Sequence, residues 1–474
     1  MKLPLLSTFV LAAFLSACTA AGPDFKSPET PAVQTYTAET EILTPSQHIA
    51  LGKEIADEWW MVFASPPLND MVKQAMAGNY DIAAAKETLA QAEESVKAES
   101  GSLWPQASLG ATAGRQKYGA ALFGPANFSI PPFTYYEAGP EISWTLDIFG
   151  GARRDIERQQ ALAEYQSHQL DAADVALTGN VVAEALNLAA TKAEVTTTEQ
   201  IIAEDQKTLA LVQESFQAGA GTRTDVLTAQ SQIENDQTLL PSLRQRLSVA
   251  SHALSILMGK APAEWTPPDF TLNDFTLPQE LPVSLPSEMV RKRPDILAAE
   301  SNLHAASAAM GVATANLYPK ITLTANLMQE ALTPEALFNA SNNAWALAAG
   351  VTAPVFSGGT LTAEQHEAEH AYQAALAQYQ QIILNAFGQV ADALTALSHD
   401  AEAVAAEQQA LDTANSSLDL ARKSYQAGNT GLLQIQNTQR QLAQAQLGLI
   451  RAQSQRFADT AKLFVALGGS PMTK

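Results

Sequence analysis

The stretch from Leu103 to Phe149 alternates with the two-residue period of a β-strand. In its first part Ala107, Leu109, Ala111 and Ala113 share one parity, and Gln106, Ser108, Gly110 and Thr112 the other. A Gly/Pro-rich interruption follows, from Gly124-Pro125 to Pro131-Pro132. Beyond it Tyr136, Ala138, Ile142, Trp144, Leu146 and Ile148 alternate with Tyr135, Glu137, Glu141, Ser143, Thr145 and Asp147. A period of two puts these sets on opposite faces. Two such runs joined by a turn-rich gap read as a β-hairpin. Each run is roughly ten residues or more, the length a tilted strand needs to cross a bilayer. On this stretch alone, a surface hairpin of a soluble domain fits equally well.

The stretch then recurs, roughly 210 residues downstream, which is the signature of an internal repeat. Tyr318-Pro319 repeats Trp104-Pro105. Ile321, Leu323, Ala325 and Leu327 alternate with Thr322, Thr324 and Asn326. After Thr333-Pro334 to Asn343, the parity Trp345, Leu347, Ala349, Val351, Ala353 and Val355 ends at Phe356-Ser357-Gly358-Gly359, as Phe149-Gly150-Gly151 ends the first hairpin. The hairpins therefore span about 105–149 and 319–356, and long helical patterns frame both.

Between Gly151 and about Gln217 an Ala-, Gln- and Glu-rich helical pattern runs with few breakers. About 65 residues at 1.5 Å each give on the order of 100 Å. No compact domain accommodates such a helix, so a rod or coiled coil is expected. Ala218-Gly219-Ala220-Gly221 breaks it. One return helix is expected from Thr222-Arg223-Thr224-Asp225 to about Met258-Gly259. The second half retraces the first. Arg293-Pro294-Asp295-Ile296 matches Asn79-Tyr80-Asp81-Ile82, and Tyr425-Gln426-Ala427-Gly428 matches Phe216-Gln217-Ala218-Gly219. The organisation read from these marks is a signal peptide at 1–17, a linker at 18–57, a first repeat at 58–260, a Pro-rich linker at 261–287 and a second repeat at 288–474.

Lys2 precedes an apolar run from Leu3 to Leu15, of signal-peptide length and too short to span a membrane. The run ends Leu15-Ser16-Ala17-Cys18, which resembles the lipobox of bacterial lipoproteins, and Cys18 is the one cysteine of the chain. The resemblance implies a lipidated Cys18. Thr19, in place of an Asp, implies the outer rather than the inner membrane.

Past this segment no apolar run approaches the about 18 residues of a transmembrane helix. If the chain spans a membrane, it does so with strands. Its net charge of −21 repels phosphate backbones and argues against nucleic acid. Four strands cannot close a spanning barrel, because the smallest use about eight. An open sheet would leave edge N–H and C=O groups in hydrocarbon at several kcal/mol each. Several chains must share one barrel. Two would supply roughly eight strands, too narrow for a useful pore, and three roughly twelve. The polar parity, with Glu137, Glu141 and Asp147, would line its lumen.

These residues resemble the TolC-like outer-membrane efflux proteins, in particular their lipoprotein (NodT/OprM-like) branch. The resemblance covers essentially the whole mature chain. It is carried by Leu15-Ser16-Ala17-Cys18, the segment from Trp59-Trp60 to Asp81, Ser143-Trp144-Thr145-Leu146-Asp147-Ile148-Phe149-Gly150, Arg293-Pro294-Asp295-Ile296 with Ala299-Glu300, Pro354-Val355-Phe356-Ser357-Gly358-Gly359 and Leu467-Gly468-Gly469. It implies a homotrimer with a twelve-stranded outer-membrane barrel, continued by a periplasmic α-helical barrel. It implies as partners outer-membrane lipid, a periplasmic adaptor and an inner-membrane pump of the RND type. It implies a passive duct for small molecules such as drugs or toxic compounds, with no catalysis and no cofactor. A duct of this fold for metal ions or polypeptides, and a non-channel helical scaffold lipoprotein, are the alternatives.

The family closes its tube at the helix tips, here Gly219–Val226 and Gly428–Ile435. The resemblance implies that Arg223 and Asp225 pair in closure. Ordinary capping by Thr224 or Asp225 is the competing reading. At the second tip Asn437 stands where relatives often carry an acidic residue, so an apolar constriction at Leu432 or Leu433 is the alternative form of the gate. His366-Glu367-Ala368-Glu369-His370 fits the zincin pattern. Its first-repeat counterpart, Gln159-Gln160-Ala161-Leu162-Ala163, carries no ligands. No third ligand stands out among His48, His168, His252, His304 and His399. A solvated helix face is expected, with no metal site.

Overall fold

The computed structural model describes residues 20–37, 47–53, 55–118 and 130–469. The signal segment, Cys18 and the Gly124-Pro125 turn lie outside the described residues. The strands are β1 (His48–Leu51), β2 (Gln106–Gln116), β3 (Phe133–Leu146), β4 (Glu280–Val283), β5 (Lys320–Ala331) and β6 (Asn343–Thr352). The helices that matter here are α1 (Pro66–Gly78), α2 (Tyr80–Ser100), α3 (Gly151–Gln217), α4 (Arg223–Gln237), α5 (Leu239–Leu257), α6 (Pro286–Val290), α7 (Pro294–Ala315), α8 (Thr360–Gln426) and α9 (Leu432–Ala466). Helices α3 and α8 are each 67 residues long. The chain divides into two compact units, one of residues 1–28, 88–166 and 298–379 and one of residues 29–87, 167–297 and 380–474.

The first unit holds a four-stranded antiparallel sheet of order β2-β3-β5-β6. Its register sets Ala107 against Ile142, Ile142 against Ala325, and Ala325 against Leu347. The apolar parities of all four strands therefore share one face. That face is bare in the single chain: Leu109 is 81% exposed, Leu347 73% and Trp345 71%. Strands β2 and β6 are edges, each with a row of backbone groups lacking a neighbour in the sheet. Ladder β3·β5 pairs Tyr136–Ala138 and resumes at Glu141. Between them stand Gly139 and Pro140. Pro140 has no N–H to give. A Cβ on Gly139 would sit 2.1 Å from the Leu327 carbonyl oxygen, so only glycine fits that crossing.

At the base of the sheet the Trp144 indole donates to the Leu103 carbonyl at 2.9 Å. Phe149 stacks on Tyr318 at 4.7 Å, which joins the ends of the two hairpins. The segment after the lipobox packs here as well. Arg154, 4% exposed, donates to the Ala21 carbonyl and the Asp24 carboxylate.

The second unit is built on helices and an aromatic core. Trp59, Trp60 and Phe63 are 1%, 1% and 0% exposed, and Trp59 stacks on Phe464 at 5.4 Å. The two Pro-rich segments read as linkers meet each other: β1 pairs in parallel with β4, His48 opposite Glu280. Phe270 and Phe275 of the second are buried. Arg293 donates to the Ala466 carbonyl at 2.6 Å and to Gln389 at 2.8 Å, and it clasps Asp295. It thereby satisfies a carbonyl at the C-terminal end of α9 that the helix itself leaves open. The first return helix is not continuous: α4 and α5 meet at Thr238. Pro241 lies in the first turn of α5 and has no N–H for the carbonyl four residues back, which places the break there.

Candidate functional site

Two places carry the polar residues singled out in the sequence: one face of the sheet and the tips of the helical hairpins. On the sheet, Glu137 stands opposite Thr112 on β2 and Glu330 on β5, and Glu141 opposite Ser108 and Asn326. Thr145 and Thr322 meet through their hydroxyls at 3.3 Å. The polar face thus carries carboxylates, hydroxyls and an amide on β2, β3 and β5, with Gly110, Gly139 and Met328 between the two glutamate rows and Ala344, Ala346 and Ala348 on β6. Glu330 belongs to it and was missed in the sequence. The parity of Thr322, Thr324 and Asn326 extends through Met328 to Glu330, and following it two steps further would have found the residue.

Asp147 does something else. It lies one residue past β3, and its carboxylate accepts from the N–H groups of Ala152 and Arg153 and from Nε of Arg153, each at 3.0 Å. Its side chain is 13% exposed. A carboxylate at the start of a helix satisfies its open N–H groups and its dipole. Asp147 therefore seats α3 under the sheet, in contrast to the expectation that it lines a lumen beside Glu137 and Glu141.

At the tips, Gly219 and Gly428 adopt φ of 77° and 74°, a backbone that favours glycine. The Ala220 N–H reaches the Ser215 carbonyl, and the Asn429 N–H the Ser424 carbonyl, each at 2.9 Å. Both long helices end by the same device. The return helices begin differently. Thr222 caps α4: its hydroxyl accepts from the Asp225 N–H at 3.2 Å, while Asp225 accepts from the Thr222 N–H and hydroxyl at 2.8 and 2.7 Å. These bonds from Thr222 hold the Asp225 carboxyl below its ordinary value. The cap is Thr222, with Asp225 as its reciprocal partner. Among the described residues Arg223 and Asp225 form no ion pair within the chain.

Helix α9 starts at Gly431 with no side-chain cap. Leu432 is 9% exposed and packs with Val212, Ala229, Leu418, Ala421 and Ile435. Leu433 is 63% exposed. Asn437 is exposed on the same side, one turn along. Of the two leucines read as constriction candidates, Leu432 is a core residue of its own chain and Leu433 faces outward with Asn437.

His366, Glu367, Glu369 and His370 are exposed on α8. Among the described residues no group of three or more His, Cys, Asp or Glu could hold a metal ion. No helix among them is long and apolar enough to cross a membrane.

Against known proteins, the sequence model of the family described as outer membrane efflux protein matches residues 71–260 and 285–469. The pyoverdine export outer membrane protein OpmQ of Pseudomonas putida is 31% identical over 419 residues, 87% of each chain. The cation efflux system protein CusC of Escherichia coli is 27% identical over 467 residues, 97% of each. The solved outer-membrane channel OprN is 25% identical with a TM-score of 0.86, covering 95% of this chain and 99% of that one.

Proposed function

Because the chain belongs to the outer membrane efflux protein family, we propose that it is the exit duct of a tripartite efflux pump. It resides in the outer membrane, and its fold is that of the efflux channels, a membrane sheet continued by a helical tunnel into the periplasm. One observation carries the reading. The sheet is open at both edges, apolar on one face and acidic on the other. In hydrocarbon, unpaired edge groups cost several kcal/mol each. Edge pairing with two further copies removes both edges, turns the bare Leu109–Trp345 face to lipid and turns Glu137, Glu141 and Glu330 inward.

The closed homotrimer is a passive path with no chemistry of its own. Its partners on this reading are a periplasmic adaptor and an inner-membrane pump of the RND type. Cys18 carries the lipid that tethers the first residues beside Arg154. Arg223, Leu433 and Asn437 point away from their own hairpins, which supports closure of the tips between neighbouring copies. The cargo is a small molecule whose choice rests with the pump. Export of metal ions is the second reading, favoured by the cation-efflux relative.

Purified protein in planar bilayers tests the duct. Discrete conductance from a cross-linkable trimer is expected. A monodisperse monomer without conductance sinks the proposal. A strain lacking the gene, challenged with siderophores, drugs and copper or silver salts, separates the cargo readings.

A further inference from the structure

Asp205 on α3 and Asp236 at the end of α4 both line a cavity of about 10 Å³, room for about one water molecule, and their carboxyls are hydrogen-bond neighbours. Asp205 is 8% exposed. Gln232 donates to Asp236 at 2.8 Å. From α9, Gln436, Gln439 and Arg440 line the same cavity. The side-chain nitrogen of Gln436, a residue 6% exposed, has no hydrogen-bond partner among the described residues. Three conditions oppose two negative charges here. The site is buried, the carboxyls are mutual neighbours, and Asp236 sits in the last turn of α4, at the negative end of the helix dipole. Immediately after it, at Thr238, the return helix breaks.

The second repeat supplies an internal comparison. Counting from the shared tips, Asp205 corresponds to Ala414 and Asp236 to Ala445, both 7% exposed. There the return helix α9 runs unbroken. The carboxyl pair and the helix break thus occur together in one hairpin and are both missing from the other.

We propose that Asp205 and Asp236 form a proton-operated latch across the α4–α5 break. With one proton shared between them, the protonated carboxyl donates to the ionised one and α4 is held against α3. When that proton leaves to solvent, two like charges face each other and the tip arm of the first hairpin swings away about Thr238. The surrounding charges are already engaged or peripheral. Glu204 on α3 is held by Lys207 and by Arg422 of α8, Arg244 of α5 is paired with Glu199, and Arg440 of α9 is exposed at the rim. Burial, then the hydrogen bond and charge of Asp236, then Glu204, push Asp205 up to about 7. The sign follows. A carboxyl whose folded value is raised keeps its contact at low pH and loses it as pH rises toward that value. The arm is therefore held below neutrality and released above it.

The test uses the full-length trimer with nitroxide labels at Glu214→Cys on α3 and Gln230→Cys on α4, both exposed positions. Pulsed EPR distances are read from about pH 5.5 to about pH 8.5. The expected result is a distribution that lengthens and broadens as pH rises through neutrality. Asp205→Asn mimics the protonated state and should give the short distance throughout. The double change Asp205→Ala and Asp236→Ala copies the second repeat and should also be pH-independent. Trimer on a native gel checks folding of each variant. An unchanging distribution in the parent protein overturns the latch, as does a pH response that survives Asp205→Asn.

Discussion

The tips of the two helical hairpins share a backbone and differ in the side chains that hold them. Each follows a 67-residue helix, and each turns on a left-handed glycine with the same closing bond. In the first repeat, the cap position, first helical residue and third helical residue are Thr222, Arg223 and Asp225. In the second they are Gly431, Leu432 and Gln434. The first tip packs Ala229 and Val226 of α4 into the hydrophobic cluster at the tips and adds a local reciprocal cap. The second is held at long range, by Leu432 and Ile435 packed on both long helices. The turn is common to the two repeats, and the start of the return helix differs between them. Both tips pack into one hydrophobic cluster, and only the first has a side-chain cap of its own.

The sharpest way to break this comparison is Leu432→Ala. Removing a buried leucine from the shared core should cost about 2–4 kcal/mol and expose the second tip to limited proteolysis. Arg223→Ala at the corresponding first-repeat position should cost less than about 0.5 kcal/mol. Similar losses at both sites would mean that the tips are not held differently.

Gly219→Ala and Gly428→Ala come next. Each forces a side chain into the left-handed region, at roughly 1–2 kcal/mol, and the two should match within error in chemical denaturation. A large difference would show that the turn is not a shared device.

Thr222→Ala should cost about 1 kcal/mol and fray α4 in hydrogen exchange, whereas Gly431→Ser should add no more than a few tenths. Acid extends the same contrast. Asp225 is held below its ordinary value, so its contribution is present above the unfolded carboxyl range and is lost as pH falls through the lowered value. Loosening of the first tip on acidification, absent from Asp225→Asn, is the expected result.

The smallest effect on stability is expected at Leu433. Leu433→Ala should stay within about 0.5 kcal/mol, because the side chain touches little of its own chain. It should nevertheless raise the conductance of the closed channel. An unaltered closed-state current would remove Leu433 from the proposed contact between copies.

Much of this architecture could be read from the chain. The alternation at Gln106–Thr112 and Tyr135–Leu146, repeated at Ile321–Leu327 and Trp345–Val351, marks strands because side-chain direction along a strand is a local property. Gly219 and Gly428 mark the ends of long helices for the same reason. The break at Thr238 was written in Pro241, whose missing N–H is a property of that residue alone, although a single return helix was expected there. The linkers around His48 and Glu280 were less legible, because Pro-rich strands of four residues carry no usable period.

Sequence alone marked the four membrane-length strands, the pair of long helices and the turns that end them. Tertiary structure decided that Asp147 caps α3, that Leu432 is core while Leu433 faces out, that Glu330 joins Glu137, and that Asp205 meets Asp236. The division has one physical cause. Periodicity and turn chemistry act between residues a few positions apart, and they are present before the chain folds. Which side of a helix is buried, and which carboxyl meets which, depends on elements up to hundreds of residues away, and exists only once those elements have packed.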